Sequence, residues 1–176
     1  MSVLARLRFA AARGEDAPAM RALARSAYEH YVVRIGKPPA PMTADYDALA
    51  ASANVTLAWH GDELVGMLVL ELRGTEAWIE NVAVAQAMQG SGLGSELLRR
   101  AEADAREAGC VVARLFTNER MTENLEFYPR RGYVETERRR DGGFNRVFFT
   151  KKLTGAGRAD CATETPVSPG EFDKRG

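Results

Sequence analysis

An anion-binding turn is written into Gln89-Gly90-Ser91-Gly92-Leu93-Gly94, which lies between the apolar run 78–84 and the amphipathic run 93–108. The order reads as strand, glycine turn and helix start. Glycines at 90, 92 and 94 let the backbone come close to an anion. The first N–H groups of the following helix lack intrahelical acceptors and point outward, and the helix dipole adds about half a positive charge there. Phosphate or pyrophosphate is the ligand this chemistry suits. A P-loop is excluded, because Lys and then Ser or Thr must follow its last glycine, and here Ser95-Glu96 follows Gly94. A dinucleotide fingerprint fails as well. It needs glycine at 95, where serine stands, and a second strand-helix-strand unit with an acidic residue for ribose.

Other chemistry-bearing residues are sparse. Cys110 and Cys161 are far apart and have no metal or redox spacing, so a buried free thiol in a reducing compartment is the expectation for Cys110. His30 and His60 have no companion at ligand spacing, and no metal is expected.

The chain has 176 residues, 45% of them hydrophobic, enough for one packed domain, expected over 1–153. Lys plus Arg and Asp plus Glu both total 24, so no global field favours nucleic acid or an anionic membrane, and an anion site must be local. Arg6 and Arg8 interrupt the apolar N-terminus, which leaves no signal-peptide core and no membrane-length run. A cytoplasmic protein, monomer or homodimer, is expected.

The elements that position the turn follow from periodicity. Leu7, Phe9 and Ala11 alternate with Arg6, Arg8 and Ala10 as in a strand. Asp16 and Pro18 open a helix with Met20, Leu23, Ala24, Ala27, Tyr28 and Tyr31 on one face. Prolines 38, 39 and 41 break it within 34–42, and a short helix is expected from Thr43 or Ala44 to Ala51. Residues 54–60, 63–73 and 76–84 read as an antiparallel meander with turns at Gly61-Asp62 and Gly74-Thr75. A helix from Gly92 carries Leu93, Leu97, Leu98, Ala101, Ala105 and Ala108 to its stop at Gly109. The strand at 111–116 follows this crossover helix and so lies parallel to a neighbour. A short helix spans 122–128, and 133–139 with 146–153 form a hairpin across Asp141-Gly142-Gly143. The small, polar residues 154–176 read as a flexible tail.

The Gln-x-x-Gly-x-Gly of residues 89–94, the preceding Val82-Ala83-Val84, and Phe127-Tyr128-Pro129-Arg130-Arg131-Gly132-Tyr133 together resemble the GCN5-related N-acetyltransferases, the GNAT family. The element order β-α-α-β-β-β-α-β-α-β-β over residues 7–153 is similar too. The resemblance implies an α/β fold: a mixed, mostly antiparallel twisted sheet with a splayed central parallel strand pair, flanked by helices. It implies acetyl-CoA as acyl donor. Its pantetheine arm would pair with the backbone of Val82, Ala83 and Val84, and its pyrophosphate would sit on Gln89, Gly90, Ser91, Gly92, Leu93, Gly94 and Ser95. Tyr128 matches the family tyrosine that protonates the departing thiolate, as a phenol with pKa near 10 can. Its plainer alternative is an aromatic packing residue. Met121 occupies the position of a family asparagine that contacts the cofactor arm, leaving Asn124 or Asn118 as substitutes. Pro129 disfavours α geometry at Tyr128, and Arg130 and Arg131 are within reach of phosphates, Arg131 being the cofactor-side candidate.

Glu80, on the strand beside the pantetheine, is the candidate base, against the alternative of a solvated carboxylate. A lysine-like amine with pKa about 10.4 is less than about 0.1% neutral at pH 7, so such an acceptor needs one more than an α-amine does. The proline-rich segment 34–42 resembles a loop of an uncharacterised bacterial acetyltransferase subgroup. Tyr31, Arg34, Met42 and Tyr46, with Phe144 on the hairpin, are the acceptor-side candidates, Arg34 as partner for a carboxylate. The expected activity is transfer of acetyl from acetyl-CoA to a primary amine of a small molecule or peptide by direct attack. A backbone N–H of residues 82–84 would serve the oxyanion. The alternative is a non-catalytic acyl-CoA-binding sensor or interaction module.

Overall fold

A computed structural model of the chain describes residues 3–52 and 54–154, so Cys161 and the tail from 155 lie outside the described residues. Seven strands form one sheet: β1 (Arg8–Ala11), β2 (Val55–His60), β3 (Glu63–Arg73), β4 (Glu76–Val84), β5 (Val112–Asn118), β6 (Val134–Asp141) and β7 (Phe144–Lys152). Their order is β1-β2-β3-β4-β5-β7-β6. Every neighbouring pair is antiparallel except β4 and β5, which are parallel. The helices are α1 (Ala17–Ile35), α2 (Tyr46–Ala50), α3 (Leu93–Glu107) and α4 (Thr122–Phe127). This is the mixed, mostly antiparallel sheet with a central parallel pair that the sequence implies. No described helix is long and apolar enough to cross a membrane.

Two cores hold the helices to the sheet. Leu93, Leu97, Leu98, Ala101 and Ala105 of α3 are buried against Leu70, Ile79, Leu115 and Phe149. Each buried leucine contributes roughly 1.5–3 kcal/mol. On the other side, Met20, Ala24, Tyr28 and Tyr31 of α1 pack with Tyr46, Leu57 and Met67. The α1 stripe is the one that helical periodicity predicts.

Element ends differ from expectation where local hydrogen bonds decide them. Helix α1 runs on to Ile35 and stops at Gly36, whose φ of 84° only glycine adopts readily. Helix α2 starts at Tyr46 rather than at Thr43 or Ala44, because the Asp45 carboxylate caps it by accepting from Ala48 N at 3.0 Å. The β6–β7 turn is two residues, Gly142 and Gly143, both at positive φ, the twist-matching geometry of a tight hairpin.

The central feature is where β4 leaves β5. Their pairing runs only from Glu76↔Val112 to Ile79↔Leu115. Beyond it β5 continues against β7, and β4 continues against β3. At the same point β4 carries a bulge: Asn81 faces Val69 and Ile79 faces Leu70, leaving Glu80 unpaired between them. The bulge switches parity. Ala77 and Ile79 enter the α3 core, and after the bulge Val82 and Val84 do, while Ala83 enters the α1 core.

Candidate active site

The splay opens two cavities that share Tyr28, Val82, Asn124 and Tyr128 in their walls. The first, of about 460 Å³, is lined by Val82, Ala83 and Val84, by Gln89, Gly90, Gly92, Leu93, Gly94 and Ser95, and by Phe127 and Arg131. Ser91 is not in this wall. Its hydroxyl donates to Met88 O at 2.5 Å and accepts from Leu93 N at 3.3 Å, so it shapes the turn. The first helical bond of α3 runs from Glu96 N to Gly92 O, which leaves the N–H groups of Gly94 and Ser95 without intrahelical acceptors. Arg131 reaches the same end of α3, with Nε 2.8 Å from Ser95 Oγ and its guanidinium 3.5 Å over the Phe127 ring. Helix terminus and guanidinium thus bring free N–H groups and positive charge to one place, an arrangement chemically suited to an anion.

Two glycines here have distinct jobs. Gly92 is the N-cap of α3 with φ 89°. Gly92→Ala is expected to lower unfolding free energy by about 1–2 kcal/mol, measured by urea denaturation, since an L side chain is strained there. Gly94 admits the Phe127 ring: a Cβ would stand 3.2 Å from Phe127 Cζ.

The second cavity, of about 500 Å³, lies on the α1–α2 loop side of the shared wall. Glu80, which the bulge leaves unpaired, and its neighbours Ile79, Asn81 and Val82 all line it. Glu80 is half-buried and pairs with Arg73 at 3.0 Å. Desolvation raises its carboxyl pKa above the ordinary value, Arg73 opposing and Glu71 adding to the rise. Asn81 is buried in a network: Tyr28 Oη lies 2.7 Å from Asn81 Oδ1 and 2.8 Å from Val82 O, donating its one proton between them. Asn81 Nδ2 donates to Tyr46 Oη at 3.4 Å, and Tyr46 donates to Pro41 O at 2.5 Å. The strand beside the site is thereby tied to α1 and to the proline loop. Burial pushes the Tyr46 phenol up to about 12 and Tyr28 well above its ordinary value, so both stay protonated donors.

Tyr128 stands in the wall common to both cavities. Its hydroxyl makes no hydrogen bond among the described residues and opens onto that shared space. Burial, then the neighbouring Tyr31, raise its pKa, which keeps the phenol protonated. Pro129 does not displace it from helical geometry, contrary to the sequence expectation: Tyr128 has φ −71° and ψ −44°. The reason is that Pro129 opens a 3₁₀ turn, Pro129–Arg131, and the Tyr128 carbonyl accepts from Arg131 N at 2.9 Å and Tyr133 N at 3.3 Å. Asn124 lies one turn earlier, in both cavity walls, with Nδ2 3.0 Å from Thr117 Oγ1. Asn118 lines the second cavity alone, and Met121 is buried beside them.

The acceptor-side candidates separate. Phe144 lines the second cavity. Arg34 is engaged elsewhere, with Nη1 2.7 and 3.0 Å from the two oxygens of Glu123. Tyr31 lies against the same carboxylate, 3.4 Å away, and lines the first cavity rather than the second. Met42 packs against the α1–α2 core and lines neither. Tyr46 works through its hydrogen bonds and not as wall. Residues that the sequence did not single out, Tyr28, Glu71, Asn81 and Arg146, are all in the second wall. For Asn81 a signal exists: the apolar positions 77 and 79 give way to 82 and 84, a parity break that marks the bulge.

The sequence model of the Acetyltransferase (GNAT) family matches residues 17–133, a span from the first turn of α1 to Tyr133. The chain belongs to this family. Among relatives of this GNAT chain, the aminoalkylphosphonate N-acetyltransferase of Salmonella typhimurium is 33% identical over 111 residues, 60% of the chain and 66% of that protein, just under two thirds of its length. Two solved structures share the GNAT fold. The ribosomal-protein-S18-alanine N-acetyltransferase from Escherichia coli superposes with TM-score 0.69 at 17% identity, over 86% of this chain and 97% of that one. The PaiA N-acetyltransferase from Thermoplasma acidophilum, in complex with coenzyme A, gives 0.66 at 15% identity, over 83% and 98%.

Proposed function

We propose that the chain transfers acetyl from acetyl-CoA to a primary amine by direct attack, with the donor in the glycine-turn cavity and the acceptor in the cavity beyond Tyr128. The observation that carries this reading is the wall that the two cavities share at Val82 and Tyr128, which puts one reacting centre within reach of both. It is supported by a relative named as an aminoalkylphosphonate N-acetyltransferase and by a neighbour in fold named as a ribosomal-protein-S18-alanine N-acetyltransferase.

The donor fits the residues present. The α3 terminus with Arg131 suits a pyrophosphate, and the flank of β4 that β5 leaves unpaired suits the amides of pantetheine. Acetyl-CoA supplies an acyl group on a good leaving sulfur. The chain supplies proton management and polarity. Glu80 takes one proton from the acceptor ammonium and passes it to solvent, freeing the nitrogen lone pair. The C–N bond forms, the C–S bond breaks, and Tyr128 gives its proton to the departing sulfur. The second amine proton makes good that loss through solvent. A β4 backbone N–H on the unpaired flank stabilises the carbonyl oxygen as charge develops.

Thiol release from acetyl-CoA, followed against pH over an amine panel, tests the assignment. Glu80 must be ionised to act, so its raised pKa moves the acid limb of kcat/KM upward, toward neutrality. Glu80→Gln is expected to lower kcat/KM by about 10²-fold and to abolish that limb. A wild-type profile in the variant would remove Glu80 from the mechanism. Donor binding without turnover on any amine would favour the sensor alternative.

A further inference from the structure

The second cavity has a chemical character that narrows its ligand. Its wall is mainly apolar, with Pro41, Leu49, Val69, Leu70, Phe116 and Phe144 on its sides. Its charged groups form one connected set. Arg73 bridges Glu71 and Glu80. Arg146 lies 2.7 Å from Asp141, is stacked 4.0 Å over Phe116, and acts electrostatically on Glu80. Of these, Glu71, Glu80 and Arg146 stand in the wall itself, two carboxylates to one guanidinium, and that guanidinium already has an acidic partner in Asp141. Glu71 is the more exposed of the two wall carboxylates and Glu80 the deeper, so the surplus negative charge extends from the solvent side inward to Glu80.

The mouth is also bridged. Lys37, beyond the end of α1, donates to Gly143 O at 2.6 Å and stands 3.8 Å over the Phe144 ring. This latch joins the loop bearing Pro39, Ala40 and Pro41 to the hairpin bearing Phe144 and Arg146, two opposite linings of the cavity. A polypeptide acceptor would have to break it; a compact molecule would not.

We propose that the acceptor is a compact monoamine with an apolar body and no acidic group, its ammonium drawn by Glu71 toward Glu80 and its body held among the prolines and phenylalanines. An acid-bearing amine meets surplus negative charge and an arginine already paired; a polycation brings more charge than the single surplus carboxylate balances. The inference rests on the acetyl-transfer reading for its turnover readout alone.

Phenethylamine and phenylalanine form a matched pair that differs by one carboxylate. Intrinsic chemistry favours phenylalanine, whose α-amine is the more often neutral, so the reverse preference would come from the protein. With thiol release as readout, kcat/KM is expected to be at least about 10-fold higher for phenethylamine, and higher than for spermidine, 2-aminoethylphosphonate or an alanyl peptide. Glu71→Gln is expected to raise KM for phenethylamine several-fold and shrink discrimination against phenylalanine, leaving KM for acetyl-CoA as it was. Calorimetry on the CoA-saturated protein separates the two readings. Phenethylamine binding in preference to phenylalanine without turnover would sustain the acceptor class and overturn acetyl transfer. Turnover with phenylalanine, 2-aminoethylphosphonate, spermidine or peptide equal or preferred would overturn the class and sustain transfer. Absence of phenethylamine binding in both assays would overturn the class outright.

Discussion

Tyr128→Phe is expected to lower kcat by about 10²-fold while KM for acetyl-CoA and the thermal midpoint stay near wild type. The ring is held by Phe127, Tyr133 and Phe149, with centroids 5.2, 5.9 and 5.8 Å away, and phenylalanine keeps all three contacts. The hydroxyl has no partner among the described residues to leave unsatisfied, so its removal carries no folding penalty of the usual kind. Only the proton is lost. A thiol with pKa about 8.5 departs tolerably without one, so the effect belongs at the low end of the 10²–10⁴ range for general acids. Steady-state thiol release at saturating donor reads it, and an unchanged kcat would leave Tyr128 a packing residue.

The largest expected loss of stability comes from Glu102→Ala. Glu102 is 6% exposed on α3. It accepts from Lys151 Nζ at 2.8 and 2.9 Å and from the Tyr133 hydroxyl at 3.0 Å, with Arg106 at 3.6 Å. Removing one member of a buried pair usually costs about 3–5 kcal/mol. The Lys151 side chain is 24% exposed and can turn to solvent, so about 2–3 kcal/mol is expected here. The urea midpoint measures it, and a change below about 0.5 kcal/mol would mean that water already serves these groups.

How much of this was legible before the structure varies with the range of the interactions. Helix α3 and the glycine turn are written locally, in periodicity and in Gln89 to Gly94, and both stand where expected. The parallel β4–β5 pair follows from the crossover helix between them. The residues expected on the donor side line one cavity for the same reason, except Ser91, which is turned inward by two hydrogen bonds that sequence does not announce. The wall of the second cavity was not readable in the same way. Arg34 finds Glu123, 89 positions away, and Lys37 finds Gly143, 106 away; neither pairing leaves a periodic trace. Asn81 gains its place from a one-residue bulge whose trace is a single skipped alternation. Of its partners, Tyr28 reads as a core residue and Tyr46 as an acceptor-side candidate; the rings of both are core, and their hydroxyls tie into the Asn81 network.

The early parting of β4 from β5 has a mechanical side. The sheet is two sub-sheets, β1 to β4 and β5 to β7, joined by the β4–β5 pairing from Glu76↔Val112 to Ile79↔Leu115 and, just before it, by Val111 N donating to Thr75 O. Past that seam, the open edges of β4 and β5 form the two arms of a wedge. A strand-like guest seated between the arms would span both sub-sheets as a keystone, and mass action would then add its binding energy to the stability of the folded state. If the splay is the donor site, as proposed, occupancy and the rigidity of the two halves would be coupled.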